Sequence, residues 1–191
     1  MINQLILHPV RHDAAIDADR LLHALRAIGL IGAAFSFEGN NHHRPGDRLL
    51  QLITFLGCSP VVSLGEPGLT GDEFCHLQFE GTHPAPIAVA GDNLKPARCP
   101  GCKHTLKDSP KRIAHWPEQT EIHCPQCGTR TPLPRLNWRR SAGFGRFFLR
   151  IWGVFESEAV PADELLAALE QASDLPWSYF YYRDNATKRP L

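Results

Sequence analysis

Hydrophobic positions along the chain change period several times, and each change marks an element. Residues 5–10 read as a short strand. Over 13–28, Ala18, Leu21, Leu22, Leu25 and Ile28 share one face of a 3.6-residue period, and Gly29 supplies a stop, which predicts a helix. Residues 33–38 read as a strand and 40–46 as a polar loop holding His42 and His43. Leu49, Leu52, Ile53 and Leu56 recur at i, i+3, i+4 and i+7 and predict a second helix over 47–56, ended by Gly57. Residues 61–64 read as a buried strand and 65–71 as turn material. Cys75, Leu77 and Phe79 alternate with His76, Gln78 and Glu80, the period-2 pattern of a strand with one buried face. A short strand is expected over 87–90 and a central strand over the apolar run 144–155. A helix follows over 161–172, with Pro161 near its start, Asp163 and Glu164 in its first turn, and Leu165, Leu166 and Leu169 as its buried stripe. Residues 177–182 predict a last strand, and 183–191 a frayed end.

Two cysteine pairs interrupt this alternation: Cys99-Pro-Gly-Cys102 and Cys124-Pro-Gln-Cys127. Thiolates two residues apart can grip one ion from a single tight turn. Two such turns supply four sulfurs, the complete tetrahedral shell that Zn²⁺ prefers. One Zn²⁺ ion is therefore the expected cofactor, held by Cys99, Cys102, Cys124 and Cys127. Four cysteine ligands leave no open position for water or substrate, so its expected role is structural. Redox or iron–sulfur chemistry and a pair of disulfides are the alternatives. The first needs a C-x-x-C beside a βαβ pattern, the second an oxidising compartment. Residues 1–9 have no basic start and no long apolar run, so no leader is expected and the cytoplasm is the expected location. His104 and His123 lie close to the cysteines in sequence and are expected beside the site rather than on the ion.

The two knuckles, with Pro100 and Pro125 inside them and Gly128 after the second, resemble those of the zinc-ribbon group. The resemblance covers residues 95–138 and implies a small β-ribbon held by zinc. It implies no particular reaction, because ribbons serve nucleic-acid binding, protein docking and purely structural roles. Gly128 suits a positive φ that lets backbone N–H groups face the sulfurs, and Lys103 at the matching place suits it less.

The expected fold is α+β: an antiparallel-rich sheet with helices on one face and the ribbon inserted between two of its strands. Residues 1–94 form the first part of the body, 95–138 the ribbon and 139–191 the second part. Two lobes bridged by the ribbon are the alternative. With 43% hydrophobic residues, the chain can supply a core for one such domain and its insert. No stretch approaches the roughly 20 apolar residues of a membrane span, so no membrane partner is expected.

Net charge is zero but polarised. Residues 95–140 hold ten bases against three acids, +7, and the rest of the chain balances this at −7. Between 156 and 174 there are six acids and no base, read as a solvated helix face or an acidic docking surface. Lys103, Lys107, Lys111, Arg112, Trp116, Arg130, Arg135, Arg139 and Arg140 are the candidate contacts to a partner. Trp116 and Trp138 lie among these bases and suit stacking on nucleobases. The competing reading is that Trp116 packs the ribbon core while Trp138 seats the ribbon on the body.

Three functions follow. The first is a non-enzymatic adaptor or assembly factor that binds another protein through the ribbon or the acidic helix. The second is nucleic-acid binding through the basic ribbon. The third is an enzyme with a site around 40–47 and 75–83, where His42, His43, His76 and His83 form a second metal site if they converge and are solvated loop residues if they do not. The chain has no G-x-S-x-G, G-x-x-x-x-G-K-[ST] or G-x-G-x-x-G. Cys58 and Cys75 read as buried, inert thiols, with Cys75 on the face of its strand opposite His76.

Overall fold

The structure is a computed structural model and describes residues 1–37, 39–56, 62–64 and 74–185. Cys58, Val61 and the turn expected over 65–71 lie outside the described residues.

The fold is α+β. Six antiparallel strands make the main sheet: β1 (Ile2–Pro9), β2 (Ile31–Phe37), β3 (Asn40–Pro45), β5 (Leu77–Gly81), β10 (Phe147–Trp152) and β12 (Trp177–Asp184). Their spatial order is β12-β1-β10-β5-β3-β2. Three two-stranded ribbons accompany it: β4 (Ile53–Phe55) with β11 (Ala159–Pro161), β6 (Ile87–Ala90) with β9 (Ala142–Gly145), and β7 (Glu121–His123) with β8 (Arg130–Pro132). The helices are α1 (Ala18–Ala27), the single turn α2 (Leu49–Leu52), α3 (Ser109–Ile113) and α4 (Asp163–Ser173), with a 3₁₀ turn at Leu133–Arg135.

Leu5 and Leu7 of β1, Leu77 of β5, and Leu149 and Ile151 of β10 point to one side of the sheet. There they meet Leu21 and Leu25 of α1 and Leu165 and Leu169 of α4. Each such buried side chain contributes about 1.5–3 kcal/mol. Ile6, Phe148 and Phe180 point to the other side and are covered by Val89 of β6. A helix layer thus closes one face, and the β6–β9 ribbon closes part of the other.

Helix α1 starts later than its apolar period implies. Asp17 keeps an extended conformation and accepts a hydrogen bond from the Arg20 N–H at 3.0 Å, so it caps the helix. A capping side chain does this only from outside the helix. Ile16 reaches the core from the preceding irregular segment.

The helix expected over 47–56 is one turn followed by a strand. Leu49, Leu52 and Ile53 are buried as the period requires, but Leu56 is 66% exposed. The β-branched Ile53 and Thr54 pair with Pro161 and Val160, so a long-range partner decides the conformation. The loop expected over 40–46 is strand β3, which pairs with both β2 and β5. The run 144–155 is broken at Arg146: β9 leaves to pair with β6, and only β10 joins the main sheet. Residues 62–64 carry no regular structure, and the last strand continues to Asp184.

Gly143 of β9 marks the closest approach of this layer to the sheet. A Cβ there would meet Cε1 of the buried Phe180 at 2.2 Å and Cδ2 of His8 at 3.0 Å. Gly143→Ala should therefore destabilise the fold by about 1–3 kcal/mol through overpacking, read as a lower urea midpoint at unchanged m-value. An unchanged midpoint would mean that the two layers are free to separate.

Candidate metal centre and its basic surroundings

The four ribbon cysteines lie together, with all four sulfurs within 4.8 Å of one another. Cys99 Sγ is 3.7 Å from Cys127 Sγ, and Cys102 Sγ is 3.6 Å from Cys124 Sγ. These are far longer than a disulfide bond of about 2.05 Å. They match the roughly 3.8 Å edge of a tetrahedron whose corners lie about 2.3 Å from one ion. The cluster is thus compatible with binding a single metal ion.

Both knuckles are built by the same backbone device. The Lys103 N–H donates to the Cys99 carbonyl at 3.0 Å, and the Gly128 N–H to the Cys124 carbonyl at 2.9 Å. The Cys99 and Cys124 N–H groups donate to the carbonyls of His104 and Thr129, each at 2.9 Å. Both turns need a left-handed residue after the second cysteine. Gly128 takes φ +73° at no steric cost, and Lys103 is held at φ +64° despite its side chain. The first cysteine of each pair is buried and the second exposed.

The thiols do not ionise independently. The Thr129 hydroxyl, 3.3 Å from Cys127 Sγ, and the Thr129 backbone draw that thiol down to about 6. Cys102 is favoured as thiolate by a hydrogen bond from the His104 backbone. Desolvation and hydrogen bonds to the other three sulfurs outweigh this and push it up to about 12. Crowded thiols of this kind share protons until a cation replaces them. Nothing in the cysteine spacing singles out Thr129.

The ribbon has its own small core of Ala97, Cys99, Leu106, Ile113, Ile122, Cys124, Leu133 and Leu136, continuous with Trp138, Ala142 and Phe144. Ser109 is fully buried in it: its hydroxyl accepts from the Ala97 N–H at 2.8 Å and donates to the Leu106 carbonyl at 2.6 Å. Trp138 is buried, donates from Nε1 to the Leu133 carbonyl at 2.7 Å, and packs on Phe144. Trp116 is half-buried between Phe144 and His12. Both indoles are thus engaged in packing the ribbon against β9 and the turn after β1. His104 and His123 are exposed and stand outside the sulfur cluster.

Arg98, Lys103, Lys107, Lys111, Arg112, Arg130, Arg135, Arg139 and Arg140 are all exposed. Lys107 and Arg112 share a groove of about 380 Å³ with His104 and His123, and Lys111 adjoins Arg112 on α3. Lys103 Nζ donates to the Pro100 carbonyl at 3.0 Å, and Arg112 to Gln119 Oε1 at 3.3 Å. Lys95 is the exception among the ribbon bases, because it is ion-paired with Glu156. Two other acids of 156–174 draw on bases of the body: Glu164 pairs with Arg48 at 2.9 Å and Asp174 with Arg20 at 3.1 Å.

Two of the four histidines weighed as a second site converge. The rings of His42 and His76 are 4.8 Å apart, and His76 stacks on Trp152 at 5.1 Å. Phe35, Phe37 and Phe74 wall them in. His43 faces the opposite side of the sheet against Phe79, and His83 pairs with Glu80 at 3.2 Å. His42, His43 and His76 are buried, not solvated: the pairing of β3 with β5 places His42 and His43 in the sheet, and His76, just before β5, is enclosed by His42, Phe74 and Trp152. Burial holds His42 and His43 below the usual imidazole range and takes His76 down to about 4. Cys75 is buried, and desolvation pushes its thiol up to about 12.

No protein-family model, curated protein or solved structure matches the chain.

The buried histidines set a pH dependence. The folded state keeps His76 neutral to about pH 4, whereas an unfolded histidine protonates near 6.5. Between these values the unfolded state binds the extra proton, so stability present above pH 6.5 is lost as pH falls towards 4. Urea midpoints across that window should fall less steeply in His76→Phe than in the parent. Equal slopes would assign the loss to other groups.

Proposed function

We propose that this chain is a non-enzymatic zinc-ribbon protein, an adaptor or assembly factor that presents a fixed basic surface to an acidic protein partner. Zn²⁺ held by Cys99, Cys102, Cys124 and Cys127 would cross-link the two knuckles. With four sulfur ligands it has no position left for a substrate. The observation that carries the reading is the state of the ribbon bases. Nine of the ten are exposed, and among the described residues only Lys95 is ion-paired with an acid. The positive charge is therefore not used up within the protein. Complementary charge of this kind gives specificity and a fast on-rate to a partner of opposite sign.

Nucleic acid is the second reading, since exposed lysines and arginines neutralise phosphates equally well. It is favoured by the density of bases and weakened by the tryptophans. Stacking on unpaired bases needs a free aromatic face, and Trp138 is buried while Trp116 is packed on both Phe144 and His12. The form of this reading that the geometry supports is contact with a phosphate backbone.

The discriminating experiment compares the zinc-loaded protein with a Lys107→Glu, Lys111→Glu, Arg112→Glu variant. One arm is duplex and single-stranded DNA and RNA across a salt series. The other is cross-linking in cell extract followed by reconstitution with the purified partner. The adaptor reading expects a stoichiometric complex with an acidic protein, lost in the variant, and no nucleic-acid binding near physiological salt. A log–log salt slope of about −4.5 on duplex DNA, from neutralising about five phosphates, would replace it with the nucleic-acid reading.

The zinc assignment has its own test. Structural zinc in small modules contributes about 10–16 kcal/mol, comparable with a whole domain's stability. Cys99→Ser with Cys102→Ser should abolish the single zinc equivalent measured by atomic absorption and unfold the ribbon, with Trp116 and Trp138 emission shifting to the red. Retention of one zinc equivalent and native stability would refute it.

A further inference from the structure

Between the segment that leaves the ribbon and the edge of the main sheet lies an open cleft of about 480 Å³. This is within the roughly 300–1,000 Å³ of small-molecule sites. Its walls include His8 at the end of β1 and His12 in the turn after it, Asn137 at the end of the ribbon with Arg139 and Arg140 just beyond, and Ser178 at the start of β12. Among the described residues, no aspartate or glutamate lines it.

The two arginines are held in an unusual way. Arg139 and Arg140 take φ +56° and +60°, two successive left-handed residues without a glycine. Such a conformation persists only where the surroundings over-determine it, and it concentrates at functional sites. Here the Arg139 N–H donates to Asn137 Oδ1 at 3.0 Å, and the Arg140 carbonyl accepts from the Tyr181 N–H at 2.9 Å. The Arg140 guanidinium lies 3.8 Å from the centre of the Tyr179 ring. It donates to Ser178 Oγ at 3.1 Å and to the Tyr179 carbonyl at 3.0 Å. It is thus oriented before any ligand arrives. The Arg139 guanidinium has no hydrogen bond or ion pair among the described residues, and it lines the same cleft.

We propose that this cleft binds the phosphoryl group of a small ligand. Arg139 offers a free planar fork and Arg140 a pre-positioned cation. Ser178 Oγ accepts from Arg140, which leaves its hydroxyl hydrogen to donate. Asn137 uses its oxygen on the backbone, which leaves its amide hydrogens. A phosphate monoester presents three terminal oxygens to this set of donors, whereas a carboxylate presents two. The site stands apart from the grooves around α3 and does not depend on what docks there.

The test uses the full zinc-loaded chain, with pyrophosphate as the probe in a calorimetric titration at low salt. Succinate and short DNA duplexes are parallel arms. Arg139→Gly is the informative variant: glycine suits the positive φ, and the lost side chain has no partner among the described residues, so melting should be unchanged. Arg140→Lys keeps the charge while removing the fork and its stacking. One-site pyrophosphate binding is expected, weaker by about tenfold or more in Arg139→Gly and weaker also in Arg140→Lys. Undiminished binding in Arg139→Gly, or no saturable pyrophosphate binding in the parent, overturns the proposal. Equal affinity for succinate would assign the cleft to carboxylates, and saturable binding of DNA alone would assign it to a nucleic-acid backbone. Either result overturns it as well.

Discussion

Four sulfur atoms within 4.8 Å of one another are the constraint on which the middle of this protein rests. Thiols at that spacing cannot all ionise without a compensating cation, and the depressed Cys127 beside the raised Cys102 expresses that conflict. The ribbon core is small, and two of its buried members are the cysteines themselves. A module of this size buries too little apolar surface to hold its shape alone. The attachment to the sheet supplies part of the rest, and a metal ion held at the sulfurs would add to it.

That attachment converges on one residue. Phe144 of β9 receives Trp116 and Trp138 from the ribbon, and β9 itself is pinned by β6. Polar contacts reinforce the seam. Ser141 Oγ accepts from the Lys95 N–H at 3.0 Å and donates to the Trp138 carbonyl at 2.6 Å, while Lys95 pairs with Glu156. The ribbon is therefore seated on the body by packing and hydrogen bonds, not tethered by a linker. Its basic surface is presented in a fixed orientation.

The polarised charge has a structural logic. The acidic stretch after residue 155 neutralises bases of the body and of the seam: Arg20, Arg48 and Lys95. The exposed bases of the ribbon remain for other contacts. Surface pairs such as Arg20–Asp174 contribute little to stability. The acidic helix is held on the body by its buried Leu165 and Leu169 instead.

How much of this was legible in the chain varies by element, for identifiable reasons. The sulfur cluster was legible because C-x-x-C spacing is a local device: each turn is closed by hydrogen bonds within six residues, and two such turns suit one ion. Helix α4 and strand β12 were legible because their periods are regular and their buried stripes continuous. Strand β3 was hidden because histidine counts as polar in a sequence pattern, yet His42 packs as an aromatic ring once β5 lies beside it. The helix expected over 47–56 failed because Leu49, Leu52 and Ile53 satisfy a helical period and a turn-then-strand equally well. Only β11, more than a hundred residues away, selects between them. The paired left-handed arginines have no sequence signature, since they do not use the glycine that usually marks such a conformation. Local spacing thus determined the cysteine knuckles and the amphipathic elements. Tertiary structure decided strand pairing, the burial of the histidines and the placing of Arg139, Arg140 and Ser178 around one cleft, because those outcomes depend on partners that no short window of sequence contains.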